Sequence, residues 1–77
     1  MRLGELIAVA REVKGMTLRD LERAAGVSNA LISQIESGKV RDPSFARTVR
    51  ILDALGVSVE RAAATARPPF GALRKGG

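Results

Sequence analysis

Hydrophobic positions along the chain recur at helical spacing and are interrupted at short intervals by glycine. Leu3, Leu6, Ile7, Ala10 and Val13 follow an i, i+3, i+4, i+7 pattern, which predicts a helix over about residues 2–14 with one buried face. Leu18, Leu21 and Ala25 do the same over 17–25, and Leu31, Ile32 and Ile35 over 28–37. Phe45, Val49, Leu52 and Leu55 form the inner stripe of a helix over 43–55, and Ala62, Ala63 and Ala64 belong to a shorter one over 58–65.

The punctuation agrees with the periodicity. Gly15, Gly26, Gly38 and Gly56 each end a helical pattern, where glycine readily takes the left-handed conformation of a C-terminal cap. Each is followed within four residues by an N-cap type: Thr17, Ser28, Asp42 and Ser58. Asp20 lies three residues after Thr17 as a capping-box variant, and Pro43 after Asp42 suits the first position of the fourth helix. Gly4, inside the first helix, is expected to weaken it by up to about 1 kcal/mol relative to alanine. No room is left for strands, so an all-α, compact five-helix domain is expected over 1–66. Residues 67–77, with Pro68 and Pro69, read as a flexible basic tail. Its Phe70 and Leu73 leave open an arm that docks on a partner subunit or lies along DNA.

Composition narrows the chemistry. A chain of 77 residues with no cysteine and no histidine has no disulfides, no thiolate or imidazole metal ligands, and no triad that needs either residue. No metal, cofactor or small-molecule ligand is evident, and an enzyme is the least expected class. The N-terminus carries Glu5 and Glu12 among its apolar residues, unlike a signal peptide, and no window approaches a membrane span. A cytoplasmic protein with no membrane contact is the expectation. The net charge is +5; residues 1–66 carry ten basic and eight acidic side chains, and Arg67, Arg74 and Lys75 supply the rest. That balance favours a polyanionic partner only mildly.

The helix over 28–37 carries the sharper signal. On a 3.6-residue wheel Leu31, Ile32 and Ile35 share one side with Val27 of the preceding turn. Asn29, Ala30, Ser33, Gln34 and Ser37 share the other, a polar face without charge. A merely solvated face would more often carry Glu and Lys. Asn and Gln offer a donor beside an acceptor, which suits the N6–N7 edge of adenine, and Ala can touch a thymine methyl. Asn29, Ala30, Ser33 and Gln34 are thus candidate base readers, with ordinary solvation or a protein interface as alternatives. The three-residue turn holding Gly26 and Val27 sets two helices at roughly 90–120°, as in DNA-binding helix-turn-helix units. Thr17 and Ser28, at helix N-termini, and Lys39 and Arg41, just past the third helix, are candidate phosphate contacts.

The ordered run R…G-M-T-L-R-D-L…A-G-V-S…I-S-x-I-E-S-G…P-S…I-L-D-A-L-G-V-S, between about Leu3 and Val59, resembles the phage-repressor type of helix-turn-helix domain, the XRE or Cro/CI family. The resemblance implies a lambda-repressor-like five-helix fold, in a bacterial or phage-encoded protein, that binds double-stranded operator DNA, usually as a symmetric homodimer. It also implies an ion pair between Arg11, late in the first helix, and Glu36, near the end of the third. Ser44, at the start of the fourth helix, joins the expected phosphate contacts. Two positions depart from the family pattern. Glu22 stands where a small residue is common and must find room or a partner, Arg19 or Arg23. Leu18 stands where a phosphate-contacting glutamine is common.

Two functions follow: a sequence-specific transcriptional regulator dimerising through Leu55 to Ala62, or a protein-interaction module of the same fold, antitoxin-like or adaptor. Their salt dependence separates them, because only binding through several phosphates falls steeply with log salt.

Overall fold

A computed structural model describes residues 1–65, and the expected 67–77 tail, with Phe70 and Leu73, lies outside the described residues. The chain forms five helices: α1 (Leu3–Val13), α2 (Leu18–Ala25), α3 (Asn29–Ser37), α4 (Phe45–Leu55) and α5 (Val59–Thr65). No strand occurs among the described residues, so the expected all-α, five-helix architecture is the one observed. Helix α1 packs on α3, α4 and α5, while α2 packs on α3 and α4. Ile7, Leu21, Ile32, Ile35, Ile51 and Leu52 meet at the centre, each almost fully buried. Burying a side chain of this size stabilises by about 1.5–3 kcal/mol, and these six supply the middle of the core.

Each helix end has a local cause. Thr17, Ser28, Ser44 and Ser58 each accept a backbone N–H three residues on, from Asp20, Leu31, Arg47 and Arg61. At α1 the carboxylate of Glu5 accepts from the backbone of Arg2 instead. Gly26, Gly38 and Gly56 close α2, α3 and α4 in the left-handed region. The fourth helix begins later than expected, because its cap is Ser44 and not Asp42. Pro43 therefore precedes the helix and does not occupy its first position.

Two hydrophobic positions of the expected stripes are exposed. Val13 is 81% exposed. Counting in steps of three from Ile7 carries it about 120° away from that residue on a 3.6-residue helix, off the buried face. Arg11, only about 40° from Ile7, takes the inner place. Phe45 is 75% exposed although it lies on the same side of α4 as Leu52. Its position is the first turn, where side chains lean back past the end of the helix. There it lines an open groove of about 830 Å³ between the starts of α1 and α4, the end of α3 and α5. Leu3, Leu6, Ala10, Leu18, Leu31 and Val49, also on those stripes, are half-buried and not fully enclosed.

Gly4 has a use that propensity alone misses. A Cβ built on it would fall onto the backbone carbonyl oxygen of Ile35. The missing side chain lets the start of α1 lie directly against the last turn of α3, and the helix propensity lost at Gly4 is exchanged for that contact.

Candidate nucleic-acid interface

Helices α2 and α3 are joined by Gly26, Val27 and Ser28. Gly26 reverses the chain at φ 71°, and its N–H donates to the carbonyl of Glu22 at 2.8 Å. Val27 is buried and pins the turn to the core, while Ser28 opens the next helix with its hydroxyl on the N–H of Leu31. A fixed turn at one end and Gly4 against Ile35 at the other set the direction of α3.

The two sides of α3 differ sharply in burial. Ile32 and Ile35 are inside, whereas Ala30, Ser33, Gln34 and Ser37 are exposed. No charged side chain interrupts that outer strip, because the one acid of the helix, Glu36, is turned toward α1. Its Oε2 accepts from Arg11 Nε at 2.8 Å and its Oε1 from Arg11 Nη2 at 3.2 Å. Arg11 Nη1 also donates to the carbonyl of Met16 at 2.8 Å, so the guanidinium ties α1, α3 and the α1–α2 loop together. The hydrogen bond to Glu36 raises the Arg11 pKa above its usual value, against the opposing effect of burial. Paired in this way, Glu36 does not present its charge to an approaching polyanion.

Asn29 differs from its neighbours on the face. It is half-buried, and its Nδ2 donates to Glu22 Oε1 at 2.8 Å. This corrects the expectation that Glu22 would turn to Arg19 or Arg23. Arg23 instead approaches Asp20 at 3.8 Å on the surface. Glu22 stands one turn before the end of α2, on the side that faces the first residue of α3. In the sequence the pair shows only as an acid seven residues before an amide, and that spacing does not say that the two meet.

The candidate phosphate contacts Thr17, Ser28, Lys39, Arg41 and Ser44 are all exposed. Thr17 and Asp20 form a reciprocal capping box: Asp20 Oδ2 accepts from the Thr17 N–H at 2.9 Å and Thr17 Oγ1 accepts from the Asp20 N–H at 3.0 Å. The Thr17 backbone N–H first, and the Thr17 hydroxyl after it, hold the Asp20 carboxyl below its ordinary pKa, with help from Arg23. Thr17, Ser28 and Ser44 all use their hydroxyl oxygens as cap acceptors; at Ser28 and Ser44 this leaves the hydroxyl proton to donate outward, while that of Thr17 faces the Asp20 carboxylate. Lys39 and Arg41 are exposed in the segment after Gly38, and Arg41 also borders the groove beside Phe45. Arg47 was missed by sequence reasoning. It is exposed in the first turn of α4, where a cation opposes the helix dipole unless an anion is near. Of the expected dimer segment, Leu55 and Ala62 are buried in the chain's own core and Val57 is half-buried, which leaves Gly56, Ser58, Val59, Glu60 and Arg61 exposed.

Among the described residues no group of three or more carboxylates is placed to hold a metal ion, and no helix is long and apolar enough to cross a membrane. What the surface offers is a short helix seated on the core at an angle to its predecessor, with an uncharged polar strip facing out. That arrangement defines a helix-turn-helix protein. Residues 2–64 match the family described as a helix-turn-helix domain, and the chain belongs to that family. It is similar to an uncharacterized HTH-type transcriptional regulator, y4dJ, of Sinorhizobium fredii (strain NBRC 101917 / NGR234), at 36% identity over 70 residues that cover 90% of each chain. No solved structure is a significant match. The resemblance read from the motif holds at the level of the helix-turn-helix class.

Proposed function

We propose that this chain is a sequence-specific DNA-binding transcriptional regulator of the phage-repressor type, and that it lays α3 in the major groove. The observation that carries this reading is the exposed, uncharged strip of Ala30, Ser33 and Gln34 on α3, opposite the buried Ile32 and Ile35. Short side chains let the helix approach base edges closely, and an amide can read them by paired hydrogen bonds. Asn29, Ala30, Ser33 and Gln34 read bases. Thr17, Ser28, Lys39, Arg41 and Ser44 touch phosphates and fix the register. Arg47 joins them, since a phosphate near the first turn of α4 offsets its unfavourable place there. The ion pair of Arg11 with Glu36 is structural, holding α3 while removing a carboxylate from the groove side. The similarity to a relative named as a transcriptional regulator supports the same reading.

One half-site contacts too few base pairs to be selected from a genome, so the chain acts as a homodimer on a pseudo-palindrome. Its half-sites are centred about 34–36 Å apart, one helical turn of DNA. Selection of binding sites from random duplexes by the purified protein tests this. An inverted repeat with affinity that falls steeply with log salt is expected. Recovery of unselected sequence, or affinity indifferent to salt, overturns the proposal.

A further inference from the structure

We propose that Glu22 is a positioning residue that sets the base preference of Asn29. Its carboxylate holds the amide with Nδ2 inward, so that Oδ1 faces out and reads an exocyclic amine, adenine N6 or cytosine N4. The inference rests on the reading of α3 as the groove helix.

The chemistry leaves one orientation. Nδ2 of Asn29 lies 2.8 Å from Glu22 Oε1, and both residues are half-buried. An ionised carboxylate only accepts hydrogen bonds, so only the NH₂ end of the amide can face it. Turning the amide over would set Oδ1 against Oε1, which loses a charge-assisted bond and brings two acceptors together. An asparagine without such a partner can present either end. Here the outward end is the acceptor.

In the major groove adenine and cytosine present amines, at N6 and N4, while guanine and thymine present the acceptors O6 and O4. An outward Oδ1 favours the first two and is repelled by the second two. Nδ2 keeps one proton beyond its bond to Glu22, and adenine alone offers an acceptor, N7, beside its amine, so adenine ranks first. Guanine, with acceptors at both N7 and O6, ranks low. Glu22 thereby turns a side chain of two possible readings into one of a single reading, without touching DNA.

The test uses the full chain and two measurements. The sequence contains one asparagine and one glutamine, Asn29 and Gln34, so its side-chain amide NMR spectrum has two NH₂ pairs. Glu22→Ala is expected to move the Asn29 pair and leave the Gln34 pair in place; an unmoved Asn29 pair overturns the proposal. In binding-site selection, the position read by Asn29 is the one whose preference Asn29→Ala abolishes. Wild type is expected to prefer adenine or cytosine there. Glu22→Gln, whose amide accepts either end of Asn29, is expected to lower that preference at least about fivefold, the worth of one hydrogen bond, with other positions unchanged. A uniform gain in affinity from the lost negative charge does not mimic a change at one position. If wild type selects sites and Glu22→Gln keeps the same preference, this proposal alone fails. If wild type selects no sequence, the groove reading fails first and takes the proposal with it.

Discussion

The two ends of α3 are treated in opposite ways. Its last turn is gripped: Gly4 brings the α1 backbone onto the Ile35 carbonyl, and Arg11 holds Glu36 by two hydrogen bonds. Its first turns carry Ala30 and Ser33 bare to solvent, with Asn29 held only by a side-chain contact to Glu22. A helix that must offer side chains to a large partner needs a fixed axis and an unclad surface. Gripping one end by backbone contact and ion pair, and anchoring the other through Val27 in the turn, meets both needs within nine residues. Rigidity here comes from the parts of α3 that do not face outward.

The comparison breaks most severely at Ile32, which both ends share as their seat on the core. Ile32→Ala is expected to destabilise by about 2–5 kcal/mol, read as a lowered midpoint in chemical denaturation. Next comes the gripped end. Removing the carboxylate in Glu36→Ala leaves the part-buried Arg11 guanidinium short of two bonds, and a loss of about 2–3 kcal/mol is expected in the same measurement.

Gly4→Ala separates local propensity from packing by sign. Helix propensity alone predicts a gain of about 1 kcal/mol, whereas the collision with the Ile35 carbonyl predicts a loss of about 1–3 kcal/mol. A lowered melting temperature supports the close approach, and a raised one removes it. At the unclad end the expectation reverses. Gln34→Ala should leave stability within about 0.5 kcal/mol while weakening discrimination at one base position by about 1–3 kcal/mol, seen by comparing matched and mismatched duplexes in gel shifts.

The smallest effect belongs to the capping box at the start of α2. Asp20 is held below its ordinary pKa in the folded chain by the Thr17 backbone N–H and hydroxyl and by Arg23. The unfolded chain therefore binds that proton more readily. The stabilisation is fully present above the ordinary aspartate range, near pH 4, and is lost as pH falls through the lowered native value. Thermal melts should decline on acidification in this window, and Asp20→Asn should flatten that part of the decline. A variant with the wild-type acid profile would show that the box contributes nothing.

Much of this molecule was legible in one dimension. The helix ends at Thr17, Gly26, Ser28, Gly38, Gly56 and Ser58 were readable because each depends on residues within one turn of itself. The division of α3 into an inner Ile32–Ile35 side and an outer Ala30–Ser33–Gln34 side follows from spacing alone. The start of α4 was not readable, because Asp42 and Ser44 are both competent cap types two residues apart and their identities do not choose between them. Val13 and Phe45 escaped as well. At Val13 a step of three leads off the buried face, and at Phe45 the stripe gives the direction of the side chain but not how far the core extends along the helix.

The sequence by itself determined the number of helices, their order, and which face of α3 turns outward, since caps, glycines and periodicity act over a few residues. Only the tertiary structure decided how α3 is held. Gly4 against Ile35 and Asn29 on Glu22 depend on distances between helices, which no local pattern encodes. Gly4 looked like a weakness while α1 was considered alone, and Glu22 like an intruder in α2. Each is explained by what α3 brings within reach of it.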